Sequence, residues 1–288
     1  MNWSLASVSE KARMDSTSGA SQILISVLEE LCNHVDDFDT LDREYLKRFA
    51  FSLHRAKPAM APLFNLSNSI LCLIEDYPSE KIPSDALRAL FSRVLGEEKS
   101  ANSKIAELAR RKVDASRLIT MSYSSTVMNT LRVMGQNREL MVTVVESQPG
   151  GEGRRTAKII SSYGIETELI PDSLVLSRMK DVEAAIVGAD AVTSEGVVNK
   201  VGTYALTLAA TNHRVPSYAL CSWSKLCPMR FEDLGFVERR LGKNLTESSQ
   251  MFESTPTESF HRFITDRGVL RPMDVKSKLK DYRKALAW

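Results

Sequence analysis

Four short clusters in this chain of 288 residues combine residue types that can hold an anion or move a proton. Asp190 ends the run Ala184-Ala185-Ile186-Val187-Gly188-Ala189-Asp190. An acid just past an apolar run is placed for acid–base work or for accepting a sugar hydroxyl; an Asx-turn or a helix cap is the plain alternative. Met121-Ser122-Tyr123-Ser124-Ser125 follows an earlier apolar run. Hydroxyls at a helix start can hold a phosphate with O–H and backbone N–H groups, and an ordinary serine N-cap accounts for the same residues. A third cluster runs from Glu146 to Arg155 and holds Gly150, Gly151, Gly153, Arg154 and Arg155. Its glycines do not form the GxGxxG spacing, so a dinucleotide fingerprint is absent. They serve as a loop or, with the two arginines at a helix start, as an anion site. Asn199-Lys200, read as opening another helix, adds an amide and a flexible cation. Together the clusters suit a phosphorylated small molecule.

The elements that must position these clusters have two rhythms. Leu24, Val27, Leu28, Leu31 and Val35 recur at helical spacing, as do Leu87, Leu90, Phe91, Val94 and Leu95. Ser84 or Asp85, after Pro83, is the expected cap of the second stripe. Lys104 to Lys112 continues helical with a basic end, which suits the negative C-terminal dipole. Further helices are predicted around 40–56 and after Pro58. From about residue 115, short apolar runs alternate with helical stretches: Leu118-Ile119, Met141 to Val145, Ile165 to Ile170, Ala184 to Val187 and Tyr218 to Cys221. That alternation implies βαβ units and a parallel sheet covered on both faces. The expected α/β architecture is an N-terminal helical bundle over residues 1–113 followed by a Rossmann-like sheet domain over 114–288. In such a sheet, ligands bind beyond the carboxyl ends of the strands, where the clusters fall. Residues 229–250 are polar and charge-rich, and are expected to be an exposed excursion.

Apolar residues make up 43% and charged residues 26%, a globular balance that argues against a largely disordered chain. Lys+Arg total 38 and Asp+Glu 36, a net charge of +2 that gives no electrostatic case for direct nucleic-acid binding or a polybasic membrane surface. No apolar run approaches the roughly 18 residues of a membrane helix, and the start, MNWSLASVSEKARMD, lacks the secretory pattern. Cys32, Cys72, Cys221 and Cys227 show no CxxC pairing, and only four histidines accompany them. Free thiols in a reducing cytoplasm are expected, with no metal and no cofactor.

The stretch Gly188-Ala189-Asp190 through Gly196-Val197-Val198-Asn199-Lys200-Val201-Gly202-Thr203-Tyr204 resembles a known superfamily. It groups the alpha, beta and delta subunits of eukaryotic translation initiation factor 2B with 5-methylthioribose-1-phosphate isomerase and ribose-1,5-bisphosphate isomerase. Lys57-Pro58 with Asn65 resembles the family's Arg-Pro…Asn helix. Gly153-Arg154-Arg155-Thr156-Ala157 is similar to its G-x-x-T-A turn, and Thr255-Pro256 with Thr265 to Pro272 is similar to its C-terminal signature. The resemblance implies a helical N-terminal domain, a Rossmann-like C-terminal domain and dimers formed mainly through the latter.

In the isomerases of this superfamily, a cysteine and an aspartate share the hydrogen transfer between adjacent sugar carbons. The resemblance puts the aspartate at Asp190, and Ser122 in the cysteine's place. An alcohol is far less acidic than a thiol of pKa about 8.5, and it relays protons poorly unless a base activates it; no histidine falls in the adjoining motif. The isomerases' arginine before Gly-Ala is Ser18 here, ahead of Gly19-Ala20; their second Arg-Pro is Gln148-Pro149; and Lys57 replaces an arginine. Lysine exchanges a bidentate fork for a point charge. Thr120-Met121-Ser122-Tyr123-Ser124 is nearer to the T-H-A-Y-S segment of the alpha subunits. The resemblance therefore implies an initiation factor 2B-like regulatory or assembly protein that keeps a sugar-phosphate or nucleotide-phosphate pocket without isomerase activity. Asp190 and Ser122 would occupy the reacting positions. Gly19, Ala20, Lys57, Ser124, Ser125, Gln148, Arg154, Asn199, Lys200 and Lys225 would surround the ligand. The alternative is an active aldose–ketose isomerase with Asp190 as general acid/base and Ser122 as a polarising hydroxyl. A dehydrogenase is disfavoured by the missing glycine fingerprint. The implied partners are a phosphorylated sugar or nucleotide, a second copy in a homodimer or higher oligomer, and a translation factor. The expected setting is cytoplasmic.

Overall fold

The computed structural model describes residues 4–15, 17–230 and 234–286. Contacts divide the chain into two compact units, Met1–Ser100 with Asp281–Trp288, and Ala101–Lys280.

In the first unit, helices α1 (Leu5–Met14), α2 (Ala20–His34), α3 (Arg43–Ala56) and α4 (Ala61–Asp76) bury apolar stripes against the start of α5 (Ser84–Lys112). A capping box opens α1: the Ser4 hydroxyl accepts from Ser7 N–H at 3.2 Å, and the Ser7 hydroxyl from Ser4 N–H at 3.3 Å. Asp42 caps α3 by accepting from Tyr45 N–H at 2.8 Å. The expected stripe of α2 is buried from Leu24 to Val35, with Leu24 and Leu28 fully enclosed. Two short strands, β1 (Thr40–Asp42) and β2 (Lys81–Pro83), pair antiparallel within this unit. Ser84 is the first residue of α5, but its hydroxyl donates to the Asp39 carbonyl at 2.9 Å, so it ties the helix to the strand pair. Residues 281–286 return to this unit, where Asn68 accepts from Ala285 N–H at 2.9 Å and donates to the Arg283 carbonyl at 2.9 Å.

The helical rhythm ends at Lys112, whereas the packing division falls at Ala101. The reason is that Ala101, Ile105 and Ala109 of α5 join the core of the second unit with Leu118, Leu131 and Val142.

The second unit runs β3 (Arg117–Met121), α6 (Ser125–Gly135), β4 (Met141–Val145), α7 (Glu152–Ser162), β5 (Glu166–Ile170), α8 (Val175–Arg178), β6 (Ala184–Val187), β7 (Ala191–Val192), β8 (Val197–Lys200), α9 (Thr203–Asn212) and β9 (Ser217–Leu220). It continues through β10 (Phe236–Gly242), β11 (Leu245–Gln250), β12 (Phe252–Thr255), β13 (Arg262–Thr265), β14 (Gly268–Leu270) and α10 (Pro272–Lys280). The main sheet has the order β14-β13-β9-β6-β3-β4-β5, parallel except for the edge strand β14. Its parallel strands follow the doubly wound order, in which direction reverses between the first strand and the fourth. Here those are β3 and β6, paired through Leu118↔Ala184 and Ile119↔Ala185. Side chains alternate between faces. Leu118, Val142, Ala184 and Ile186 belong to one buried cluster, and Ile119, Val145, Ala185 and Val187 to the other.

Asn199-Lys200 differs from expectation: it ends strand β8 instead of opening a helix. The β8 strand is the centre of a second, antiparallel sheet of order β12-β8-β7, with Asn199 opposite Glu253. The β10 and β11 strands form a hairpin whose residues are almost all exposed, as the charge-rich segment implied. Residues 231–233 of that segment lie outside the described residues.

Candidate functional site

Ser122 and Asp190 stand at the carboxyl ends of the two strands that flank the reversal point. Ser122 has φ 59°, the left-handed region that non-glycine residues seldom enter. Its N–H donates to Ser147 Oγ at 2.7 Å and its carbonyl accepts from Thr156 Oγ1 at 2.7 Å. The strained turn is thus held from both sides, and Ser122 remains half-buried. No histidine or carboxylate hydrogen-bonds to its hydroxyl among the described residues.

Ser124 is the N-cap of α6, accepting from Val127 N–H at 3.4 Å, and Ser125 is the first helical residue. Ser124 also meets the β6 turn: a Cβ at Gly188 would lie 2.5 Å from its Oγ. Only glycine lets the two segments come this close. Asp190, two residues on, is half-buried, and its N–H donates to the Val198 carbonyl at 2.8 Å. Burial pushes its carboxyl above the ordinary aspartate range, and the positive charge of Lys225 partly offsets the rise. Lys225 lies in the turn after β9 and is only 4% exposed.

The loop after β4 is drawn tight against its own strand. A Cβ at Gly153 would sit 1.9 Å from the Val145 carbonyl oxygen, so the start of α7 approaches the strand as only glycine allows. Arg154 Nε donates to Glu146 Oε1 at 2.7 Å, and Gln148 Nε2 to the same oxygen at 3.0 Å. The arginine first and the amide second hold the Glu146 carboxyl below its ordinary range. Arg155 lies over the Tyr123 ring, 4.3 Å from its centre. Gln148 and Arg154 therefore meet each other through Glu146, at the same strand ends as Ser122.

Lys200 is buried. Its ammonium donates to the Pro149 carbonyl and lies 3.1 Å from Glu152 Oε1, with the lysine side chain 3% exposed. Asn199 Nδ2 donates to Thr203 Oγ1 at 3.0 Å, and that hydroxyl donates to the Lys200 carbonyl at 2.6 Å. The start of α9, behind Gly202 at φ 98°, is filled by Glu253, whose Oε1 accepts from Gly202 N–H at 2.8 Å and Tyr204 N–H at 2.7 Å. A carboxylate there satisfies orphan N–H groups and the positive end of the helix dipole.

Glu152 and Glu253 are functional neighbours that sequence reasoning missed. Glu152 carried a local signal, an acid at a helix start beside glycines. Glu253 carried none, because it reaches α9 through the pairing of β12 with β8. Gly19, Ala20 and Lys57 belong to the helical unit: Gly19 is the N-cap of α2, Ala20 its buried first residue, and Lys57 the C-cap of α3. Among the described residues, no group of three or more His, Cys, Asp or Glu could hold a metal ion, and no helix is long and apolar enough to cross a membrane.

Residues 16–272 match the initiation factor 2 subunit family. The chain belongs to that family. It is 30% identical over 223 residues to a translation initiation factor eIF-2B subunit 2-like protein of Pyrococcus horikoshii, covering 76% of this chain and 78% of the relative. It is 27% identical over 278 residues to a ribose 1,5-bisphosphate isomerase of Archaeoglobus fulgidus, covering 91% of this chain and 88% of that enzyme. Among solved structures, the translation initiation factor eIF-2B of Pyrococcus horikoshii superposes with TM-score 0.79 at 26% identity, covering 96% of this chain and 100% of that one. A 5-methylthioribose 1-phosphate isomerase of the same organism gives TM-score 0.72 at 23% identity over 96% of this chain and 87% of that one, a likeness of fold. The family thus includes both initiation-factor subunits and sugar-phosphate isomerases.

Proposed function

We propose that this family member is an initiation factor 2B-like regulatory or assembly protein, with a sugar-phosphate or nucleotide-phosphate pocket and no isomerase activity. The observation that carries this reading is the state of Ser122: its backbone is pinned at the carboxyl end of β3 while, among the described residues, no base engages its hydroxyl. Aldose–ketose isomerisation needs groups that take and return protons at adjacent carbons. Asp190, with its raised pKa, suits one such role. An alcohol without a base does not supply the other, and a positioned acid–base group contributes about 10²–10⁴-fold in rate.

The pocket keeps the means to hold a ligand. The Ser124 and Ser125 hydroxyls and the first N–H groups of α6 offer donors to a phosphate. Lys225 supplies a buried positive charge, and Asp190 accepts from a sugar hydroxyl. Lys200 and Asn199 support this mouth from behind, by fixing the Pro149 loop and the start of α9. Gln148 and Arg154 brace its rim through Glu146. We further propose a homodimer or larger assembly with a translation-factor partner, and a cytoplasmic setting. The tetrameric eIF2B-beta2-delta2 complex of C. thermophilum, a fold neighbour at TM-score 0.72 and 20% identity over 96% of this chain and 93% of that one, motivates the assembly.

The second reading, an active isomerase, is favoured by the raised pKa of Asp190. Calorimetry and product analysis with ribose-1,5-bisphosphate and 5-methylthioribose-1-phosphate separate the two. Binding without conversion is expected; turnover that disappears in Asp190→Asn overturns the proposal.

A further inference from the structure

The arginines of the helical unit are Arg13, Arg43, Arg48, Arg55, Arg88, Arg93 and Arg283. Five of them are committed. Arg13 forks onto Glu10, Arg43 donates to the carbonyls of Ile74, Tyr77 and Ser79, Arg88 pairs with Asp36, Arg93 with Glu97, and Arg283 with Asp76. Among the described residues, Arg48 and Arg55 have no ion pair and no hydrogen bond, and Arg48 has only a loose contact with the Tyr45 ring at 6.0 Å. Both line one groove of about 480 Å³ between α1 and α3, with Ser9, Glu10 and Arg13 on one wall and Phe51 and Ser52 among the residues of the other. Arg48, Ser52 and Arg55 follow the i, i+4, i+7 pattern of one helix face. Glu44, one turn before Arg48 on α3, is paired with Lys47 at 2.6 Å. The acid on the α1 wall, Glu10, is spent on Arg13, and that pairing holds its carboxyl below the ordinary range.

With Glu10 and Arg13 paired to each other, Arg48 and Arg55 leave the groove a net positive charge, which focuses a positive potential into it. A helical unit that engages its other five arginines leaves these two for something outside the chain. We propose that the α1–α3 groove is a binding site for a compact phosphate-type polyanion, held by charge-assisted hydrogen bonds from Arg48 and Arg55. Their Cα atoms are seven residues apart, roughly 10 Å along the helix. Side chains converging over Ser52 therefore reach a diphosphate or two phosphoryl groups of one ligand more readily than a single small anion. The Phe51 ring, half-buried in the groove, supplies an apolar contact for whatever carries the phosphates. The site is independent of the Asp190 pocket and of the function proposed for it.

The test uses the full-length chain and inorganic pyrophosphate, with hydrogen exchange to locate the ligand and calorimetry to weigh it. Protection of amides in 5–14 and 43–56 is expected, with affinity falling about tenfold for Arg48→Gln or Arg55→Gln and partial recovery for Arg48→Lys. A phosphorylated headgroup in lipid vesicles is the second arm: binding to vesicles but not to free pyrophosphate assigns the phosphate to a membrane surface and overturns the small-ligand site. Pyrophosphate that protects neither helix, or that binds the double Arg48→Gln/Arg55→Gln variant as tightly as the parent, also overturns it.

Discussion

Lys200 and Glu152 form an ion pair at 3.1 Å with the lysine side chain only 3% exposed, and the same ammonium donates to the Pro149 carbonyl. A cation at the end of a strand facing a phosphate pocket reads as a ligand; this one is occupied by the chain itself. It clamps the loop after β4 onto β8, which links the main sheet to the smaller β12-β8-β7 sheet.

Breaking that clamp should cost more than an exposed ion pair would. Removing one partner of a buried pair leaves an uncompensated charge, at about 3–5 kcal/mol in full burial. Glu152 is 31% exposed, so for Glu152→Gln a smaller loss of about 1–2 kcal/mol is expected by denaturant unfolding, the carbonyl bond still serving the ammonium. Lys200→Met should cost less than Glu152→Gln, because it leaves no buried cation. The opposite order would mean that the pair's attraction, not its desolvation, dominates.

The glycines offer a contrast within one chain. A Cβ at Gly153 would lie 1.9 Å from backbone oxygen, and one at Gly188 would lie 2.5 Å from Ser124 Oγ, whereas at Gly19 nothing stands within 4 Å and φ is −75°. Gly153→Ala is expected to destabilise by at least about 3 kcal/mol, since a strand carbonyl cannot yield as a side chain can. Gly188→Ala should displace Ser124 and weaken phosphate binding. Gly19→Ala should stay within about 1 kcal/mol of the parent, close to the difference between the two residues at an N-cap. Thermal unfolding of the three variants ranks them; a Gly19→Ala loss as large as that of Gly153→Ala would refute the open space at Gly19.

Much of this arrangement was legible because it is local. Met141–Val145 and Ala184–Val187 are continuous apolar runs, as strands buried on both faces must be, and their bounds match the structure. The same pattern put Ser122 and Asp190 at strand ends, and the hydroxyl run placed Ser124 at a helix start. What stayed hidden is non-local. Val197–Lys200 mixes two apolar and two polar residues, and its strand character comes from Phe252–Thr255, some fifty residues away. Arg262–Thr265 is a strand because β9 and β14 flank it, and its four residues alone carry no distinguishing period. The committed state of Lys200, Arg154 and Gln148 depends on Glu152 and Glu146 turning toward them, which side-chain spacing does not dictate.

Glu253 tests how far the start of α9 is a closed anion site. Its carboxylate takes N–H bonds of 2.8 and 2.7 Å from Gly202 and Tyr204. Glu253→Gln keeps an acceptor but loses the charge opposite the dipole, and a loss of about 0.5–1 kcal/mol is expected. Glu253→Ala removes both and should cost about 1–2 kcal/mol. It should also open the helix start, so that millimolar phosphate recovers part of the lost thermal stability in this variant and not in Glu253→Gln. Equal phosphate stabilisation of parent and Glu253→Ala would show that the helix start plays no part in anion binding.

Asp190 gives a pH signature with a definite sign. Burial raises its carboxyl pKa in the fold, and Lys225 offsets the rise only in part. Between the unfolded value, about 3.9, and the higher folded value, the native state binds more protons than the unfolded one. Stability from this group is therefore greatest below the unfolded value and is lost as pH rises toward the folded value, by up to about 1.4 kcal/mol per pH unit. Carboxylates held low by arginine, such as Glu146, act in the opposite direction, so the test is a difference between variants. The gap in stability between Asp190→Asn and the parent should widen in favour of the asparagine variant as pH climbs above 4. Lys225→Met should raise the Asp190 pKa further, as read by carboxyl carbon NMR, because it removes the compensating charge. A parent that gains stability relative to Asp190→Asn on going to neutral pH would mean that the carboxylate is well paired in the fold. It would then lack the raised pKa that suits it to acid–base work.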